Sequence, residues 1–357
     1  MSVSVAAEVV RRSARRKGFD ETQLERRGLK IDTGAPVTAA VSVGTGVAAA
    51  FGDGLVRFFS PDEPPIVIEA HRGAVLCLAA EATSGAVLTG GDDGRFLRVS
   101  PDGSIEEIAS FGSRWVDCVA AASGYYACSS GRTAYIWRVG ETDAKTFEHP
   151  STVAGMAFDA KARRVAVAHY GGATVRERGK RHWKTSKFVW HGSHSAITFS
   201  PDGKFLVTAM QENALHGWRV RDKADMDMSG YPSKIKSFAW IGSTPFLATS
   251  GADEAVCWPF DGMDGPMGRA PATCAYGGKQ VCTVVAGLNG HDGVLAGFTD
   301  GSVLTGRPAD EYELENLVVK GSSGAPVSAL ALTPEGWCFV GEDGGRVLWM
   351  QIGKDPE

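Results

Sequence analysis

The 357-residue chain lacks the short motifs that announce an enzyme. It has no Gly-x-Ser-x-Gly elbow, no His-Glu-x-x-His and no glycine loop opening a helix that could cradle phosphate. Gly171-Gly172 and Gly344-Gly345 read as hairpin turns and say nothing about nucleotides. No apolar run approaches the roughly 18 residues that cross a bilayer as a helix. Charge is nearly balanced, with a formal net charge of −4 and a pI near 6.1, so no global field draws the chain to nucleic acid or an anionic membrane. Cysteine is scarce and unpatterned: seven residues, an odd number, with no Cys-x-x-Cys. That excludes a disulfide framework and fits a reducing compartment, with Cys77, Cys118, Cys128, Cys257, Cys282 and Cys338 on or beside expected strands as small buried hydrophobes.

Glycine is plentiful, at 45 residues, and punctuates a repeat. In residues 70–100, AHRGAVLCLAAEATSGAVLTGGDDGRFLRVS, three short runs are each bounded by Gly, Asp or Ser. They are too short for helices, and Asp92-Asp93-Gly94 between the second and third is a hairpin turn whose positive φ values suit Asp and Gly. First strands of the same form begin near Val37, Val75, Val116, Val153, His194, Ile235, Val281 and Val327. Third strands begin near Leu55, Arg95, Thr133, Ala173, Ala214, Glu254, Ser302 and Arg346. The period is about 41 residues, the length of one four-stranded propeller blade.

On these residues the chain resembles the WD-repeat β-propeller family, over about 29–352. In that family a histidine, a Ser or Thr, an Asp and a Trp form a hydrogen-bonded network within each blade. Residues 70–100 supply His71, Thr89 and Asp93, with Val99 in the place of Trp. Other copies keep fragments: Asp53, Asp300 and Asp343 at the turn, Trp137, Trp218 and Trp349 on the third strand, and Thr208 and Thr249 on the second. No copy has all four. The resemblance implies an all-β propeller working as a rigid, non-enzymatic platform for partners.

The expected organisation is a basic helical arm over 1–28, a single propeller over 29–353 and a tail over 354–357. Eight four-stranded blades are expected, with seven as the alternative. The last copy has three strands, and Leu29 to Ile31 could supply its fourth and close the ring. The arm carries Arg11, Arg12, Arg15, Arg16 and Lys17 after a short apolar run, the reverse of the order in a secretory signal. Residues 310–315 read as a solvated acidic loop.

Two features are candidates for partner binding. The fourth copy holds VRERGKRHWKTSK over 175–187, in which Arg176, Arg178, Lys180, Arg181, Lys184 and Lys187 surround Trp183 and only Glu177 opposes them. Such a loop could hold an acidic protein segment, or grip phosphate and stack a base; its bland reading is a solvated hairpin with Trp183 folded back on the blade. His169, His191 and His194 are expected on one face of the same region. They lack Cys or carboxylate partners at metal spacing, so a structural role outweighs a metal site. The reading is a cytoplasmic, monomeric interaction scaffold without cofactor or metal, binding one or more proteins or peptides, acidic at the contact. A binder of nucleic acid or phosphate-bearing ligands through 175–187 and the arm is the alternative. A metal-dependent propeller enzyme using the histidines is a distant third.

Overall fold

The computed structural model describes residues 8–10, 18–81, 84–243, 245–288, 292–308 and 316–352. The basic cluster at Arg11, Arg12, Arg15, Arg16 and Lys17 and the acidic loop 310–315 lie outside them. The described chain is a β-propeller built from antiparallel sheets whose strands follow one another in sequence. Five sheets have four strands, one has five and one has six.

Seven sheets form where eight were expected, and the reason lies in the fourth and fifth copies. Strand Arg164–Arg178 runs through two strand positions, and Trp183–Phe199 pairs first with it and then with Phe205–Met210, so the two copies share one six-stranded sheet. Residues 189–194 contain no Pro and no Asp-Gly turn; the chain bends at Gly171 and Gly172, φ 85 and 127, so that the Arg178 N–H returns to the Arg163 carbonyl, and at Gly192, φ 95, without leaving the sheet. The register only slips, between Tyr170 and Gly172. Gly172 sits at φ 127, where a Cβ would meet the Phe188 carbonyl oxygen at 2.1 Å, so this bulge requires glycine.

Of the arm expected to be helical, residues 8–10 and 18–28 are described. Glu8–Val10 is a strand, with Glu8 opposite Val318, Val9 opposite Leu317 and Val10 opposite Asn316. A short isolated helix is marginal in water, whereas Val-Val beside an open sheet edge gains backbone partners. The one helix among the described residues is Gln23–Arg27, capped by Thr22, whose Oγ1 accepts the Glu25 N–H at 3.1 Å.

The described residues group into two compact units. The first comprises Met1–Val47, Phe59–Pro64 and Tyr231–Glu357. In it Leu29–Asp32 pairs with Arg346–Gln351 in the register Leu29 to Trp349, completing to four strands the sheet that ends the chain. The segment ahead of that strand is pinned to the neighbouring sheet. Phe19 N–H donates to Ser322 Oγ at 2.8 Å, Thr22 Oγ1 to the Val319 carbonyl at 2.8 Å, and Gly321 N–H to Glu25 Oε2 at 3.0 Å. The buried Lys320 Nζ lies 2.9 Å from Glu342 Oε1, and Arg346 Nε lies 2.9 Å from Glu342 Oε2. Lys320 also donates to the Gly301 and Gly321 carbonyls, so this buried charge is fully coordinated.

The second unit comprises Ala48–Phe58 and Pro65–Gly230 and holds the long six-stranded sheet. In both units the second strand of a copy is covered on both faces. Val87–Gly91, Phe205–Met210 and Val294–Phe298 are buried at every position, which is why they read as unbroken small and apolar runs rather than alternating ones.

Candidate functional site

The polar groups that hold the sheets account for most of the motif residues. His71 is buried, with Nδ1 donating to Asp93 Oδ1 at 2.9 Å and Nε2 accepting from Thr89 Oγ1 at 2.8 Å. Asp93 also accepts the N–H groups of Arg72 and Arg95. Burial lowers the His71 pKa, and Asp93 opposes that shift. The sixth copy builds the same device without histidine. Trp258 Nε1 donates to the Tyr231 hydroxyl at 2.7 Å, Tyr231 bonds Thr249 Oγ1 at 2.7 Å, and Thr249 donates to the Val256 carbonyl at 2.9 Å. Tyr231 was missed in the sequence, yet it stands 18 residues before Thr249, as His71 stands 18 before Thr89.

The remaining motif residues diverge. Asp53 holds the Leu55 N–H, and Asp300 takes Ser302 on one oxygen and Ser322 on the other. Asp343 lines a cavity of about 440 Å3 with Lys236, Ser237, Thr283 and Ser328. Trp137 packs on Phe96, Trp218 on Phe188 and His216, and Trp349 stacks on Trp337.

Residues 175–187 form a hairpin in perfect register, from Gly172 opposite Val189 to Arg178 opposite Trp183. Its residues divide into two sets. Arg176 lies over the Phe147 ring at 4.5 Å and Arg178 over the Tyr125 ring at 4.6 Å, while Trp183 meets Phe147 edge-on at 5.7 Å. These three face the adjoining sheet. Lys180, Arg181, Lys184 and Lys187 are exposed, and no carboxylate among the described residues pairs with them. The adjoining exposed arginine is matched: Arg163 pairs with Glu177 at 3.1 Å.

The histidines gather at the opposite end of the same hairpin, about 20 Å along the strands from its tip. His169 Nδ1 bonds the Tyr170 carbonyl and Nε2 bonds Thr174 Oγ1, both at 2.9 Å. His194 Nδ1 bonds Thr208 Oγ1 at 2.7 Å, and burial lowers its pKa. His191 is exposed beside Trp190. Two further histidines join them that the sequence did not single out. His149, 4% exposed, lies 5.6 Å from the His169 ring; His216, 0% exposed, stacks on Trp190 at 3.9 Å. Neither ring nitrogen of either residue has a hydrogen-bond partner among the described residues. Burial, with the neighbouring His169 and Arg176, lowers His149 to about 4; burial lowers His216 likewise to about 4 against the weak pull of Asp225. Among the described residues no three His, Cys, Asp or Glu side chains are grouped to hold a metal. Above the cluster Tyr170 and Val189 are 67% and 73% exposed.

All seven thiols are unpaired. Cys257 and Cys274 approach to 3.9 Å in a buried core, which places Cys274 among the packing thiols. Burial pushes Cys118 and Cys338 up to about 12, away from nucleophilic use.

Comparison with known proteins gives the fold and no more. No protein-family model and no curated protein matches the chain. Among solved structures it is similar to the computationally designed Ika8 protein, with a TM-score of 0.70 at 16% identity, covering 90% of this chain and 98% of that one. No helix among the described residues is long and apolar enough to cross a membrane.

Proposed function

We propose that the protein is a non-enzymatic interaction scaffold of the WD-repeat type, and that it docks an acidic protein segment through Lys180, Arg181, Lys184 and Lys187. One observation carries the reading: these four cations stand exposed at and beside the tip of a regular hairpin, without carboxylate partners among the described residues, while the adjoining Arg163 is paired with Glu177. An unmatched cationic tip on a rigid strand pair speeds encounter with an acidic partner and loses little entropy on binding. Trp183, half-buried against Phe147, is engaged with its own protein rather than offered to a base, which favours a protein partner over nucleic acid. Seven unpaired cysteines fit work in the cytoplasm.

The test is a pull-down comparing wild type with a Lys180→Glu, Arg181→Glu, Lys184→Glu variant, with and without nuclease. Partners lost from the variant and indifferent to nuclease support protein docking. Association abolished by nuclease points instead to nucleic acid, and identical partner sets throughout remove the hairpin from consideration.

A further inference from the structure

We propose that the acidic segment binds as an added strand on the outer edge of residues 183–189, so that backbone hydrogen bonds along the edge set the register and the lysines select the charge. The inference rests on the docking reading above and specifies how the partner lies.

The first support is geometric. Over 183–189 the strand is paired on one side, with residues 172–178, and among the described residues no strand pairs its other side. Alternate N–H and C=O groups along that side face outward, the arrangement that accepts another chain. Its seven positions keep one register without a bulge or Pro, whereas the outer strands Ile66–Glu69, Lys145–Glu148 and Asp225–Met228 have four residues each. Seven residues span about 23 Å, room for a peptide of similar length.

The second is a precedent in the same chain. Glu8–Val10 adds antiparallel to the outer strand Asn316–Lys320, making the only five-stranded sheet among the described residues. An outer edge of this fold therefore takes a further strand.

The third is chemical. Lysines on an edge strand normally discourage edge-to-edge pairing, and Lys184 and Lys187 would repel a second copy of this edge. The same charges admit an acidic strand, so one device both rejects the wrong partner and selects the right one. The edge is polar and cationic toward Lys184, Arg181 and Lys180, and apolar where Val189 and Tyr170 are exposed. A strand added antiparallel, as Glu8–Val10 is to Asn316–Lys320, would run from the Val189 end toward the tip. Its sequence is then an apolar residue followed by acidic ones.

The probe is a synthetic eight-residue peptide, apolar at its N-terminal end and Glu-rich after it, measured by fluorescence anisotropy with the full chain. Two derivatives carry N-methyl groups on alternate backbone amides, one on the odd and one on the even positions. Only one set faces the edge. Strand addition is supported if one derivative loses affinity by about tenfold or more while the other stays within about threefold of the parent. Equal retention by both leaves charge docking standing and overturns strand addition. Equal loss by both also overturns it, since methylation then acts on the peptide and not on a register. A parent peptide that does not bind at all removes the docking reading along with this one.

Discussion

The second and fourth copies share a cadence and diverge in what their polar groups do. In the second, His71 has a partner on each ring nitrogen, and the Asp93 carboxylate is occupied by a side chain and two backbone N–H groups. Polar chemistry there is consumed in holding a turn. Flanking the fourth, His149 of the third copy and His216 of the fifth are buried with no hydrogen bond at any ring nitrogen among the described residues, and four cations at and beside the hairpin tip have no carboxylate. Unsatisfied buried polar groups cost stability, and unmatched surface charge contributes none. The difference teaches where to look for work beyond folding: in and around the fourth copy, where polar groups stand that do not serve the sheet.

Acid should separate the two regions most. In the unfolded chain a histidine titrates near 6.5, whereas folded His149 and His216 titrate near 4. Between those values the unfolded state binds more protons, so stability is full above about 6.5 and falls as pH drops toward 4. Each site contributes on the order of 2–3 kcal/mol to that fall. Urea denaturation at pH 7 and pH 4.5 should show a much smaller acid loss in a His149→Phe, His216→Phe variant than in wild type. Equal losses would mean that the two imidazoles are not held neutral.

Asp93→Ala is expected to cost about 1–3 kcal/mol, because it strips His71 and two backbone donors of their acceptor. Lys187→Ala in the fourth copy should stay within about 0.5 kcal/mol. Denaturation midpoints that fall together would erase the contrast between a structural and a free polar group. Tyr231→Phe sharpens it from a third copy: it keeps the ring, leaves the Trp258 N–H without an acceptor, and should cost about 1–2 kcal/mol. An unchanged midpoint there would show that Tyr231 does not replace the histidine of the second copy.

Much of this fold was legible because strand cadence is local. Short apolar runs between Asp-Gly turns mark hairpins wherever they occur, and the partnership of His71, Thr89 and Asp93 is what the resemblance to WD-repeat propellers implies. What was hidden depended on contacts far apart in sequence. Residues 189–194 read as a boundary between copies, but nothing local shows whether pairing will resume in the same sheet beyond the bend at Gly192, and here it does, at Ser193 and His194. Glu8–Val10 carries no periodicity of its own and takes its conformation from the edge at Asn316–Lys320. The division of the basic hairpin was illegible for the same reason, since Arg176 and Arg178 differ from Lys180 and Arg181 only in having Phe147 and Tyr125 beside them. Trp183 on Phe147 matches the bland reading of that residue, and it confines the docking question to the four lysine and arginine side chains beyond it. His149 and His216 could have been found only by noting that six of eight histidines fall within residues 149–216.

The central claim is that the fourth copy carries a docking surface for an acidic segment, and its most direct test is equilibrium binding of a Glu-rich peptide across a salt series. Wild type should bind with an affinity that falls steadily as salt rises from about 0.05 to 0.5 M, since the contacts are exposed charges. The Lys180→Glu, Arg181→Glu, Lys184→Glu variant should bind at least about tenfold more weakly at low salt, with a flatter salt dependence and an unchanged denaturation midpoint. Equal affinity and equal salt dependence in the two proteins would contradict the claim.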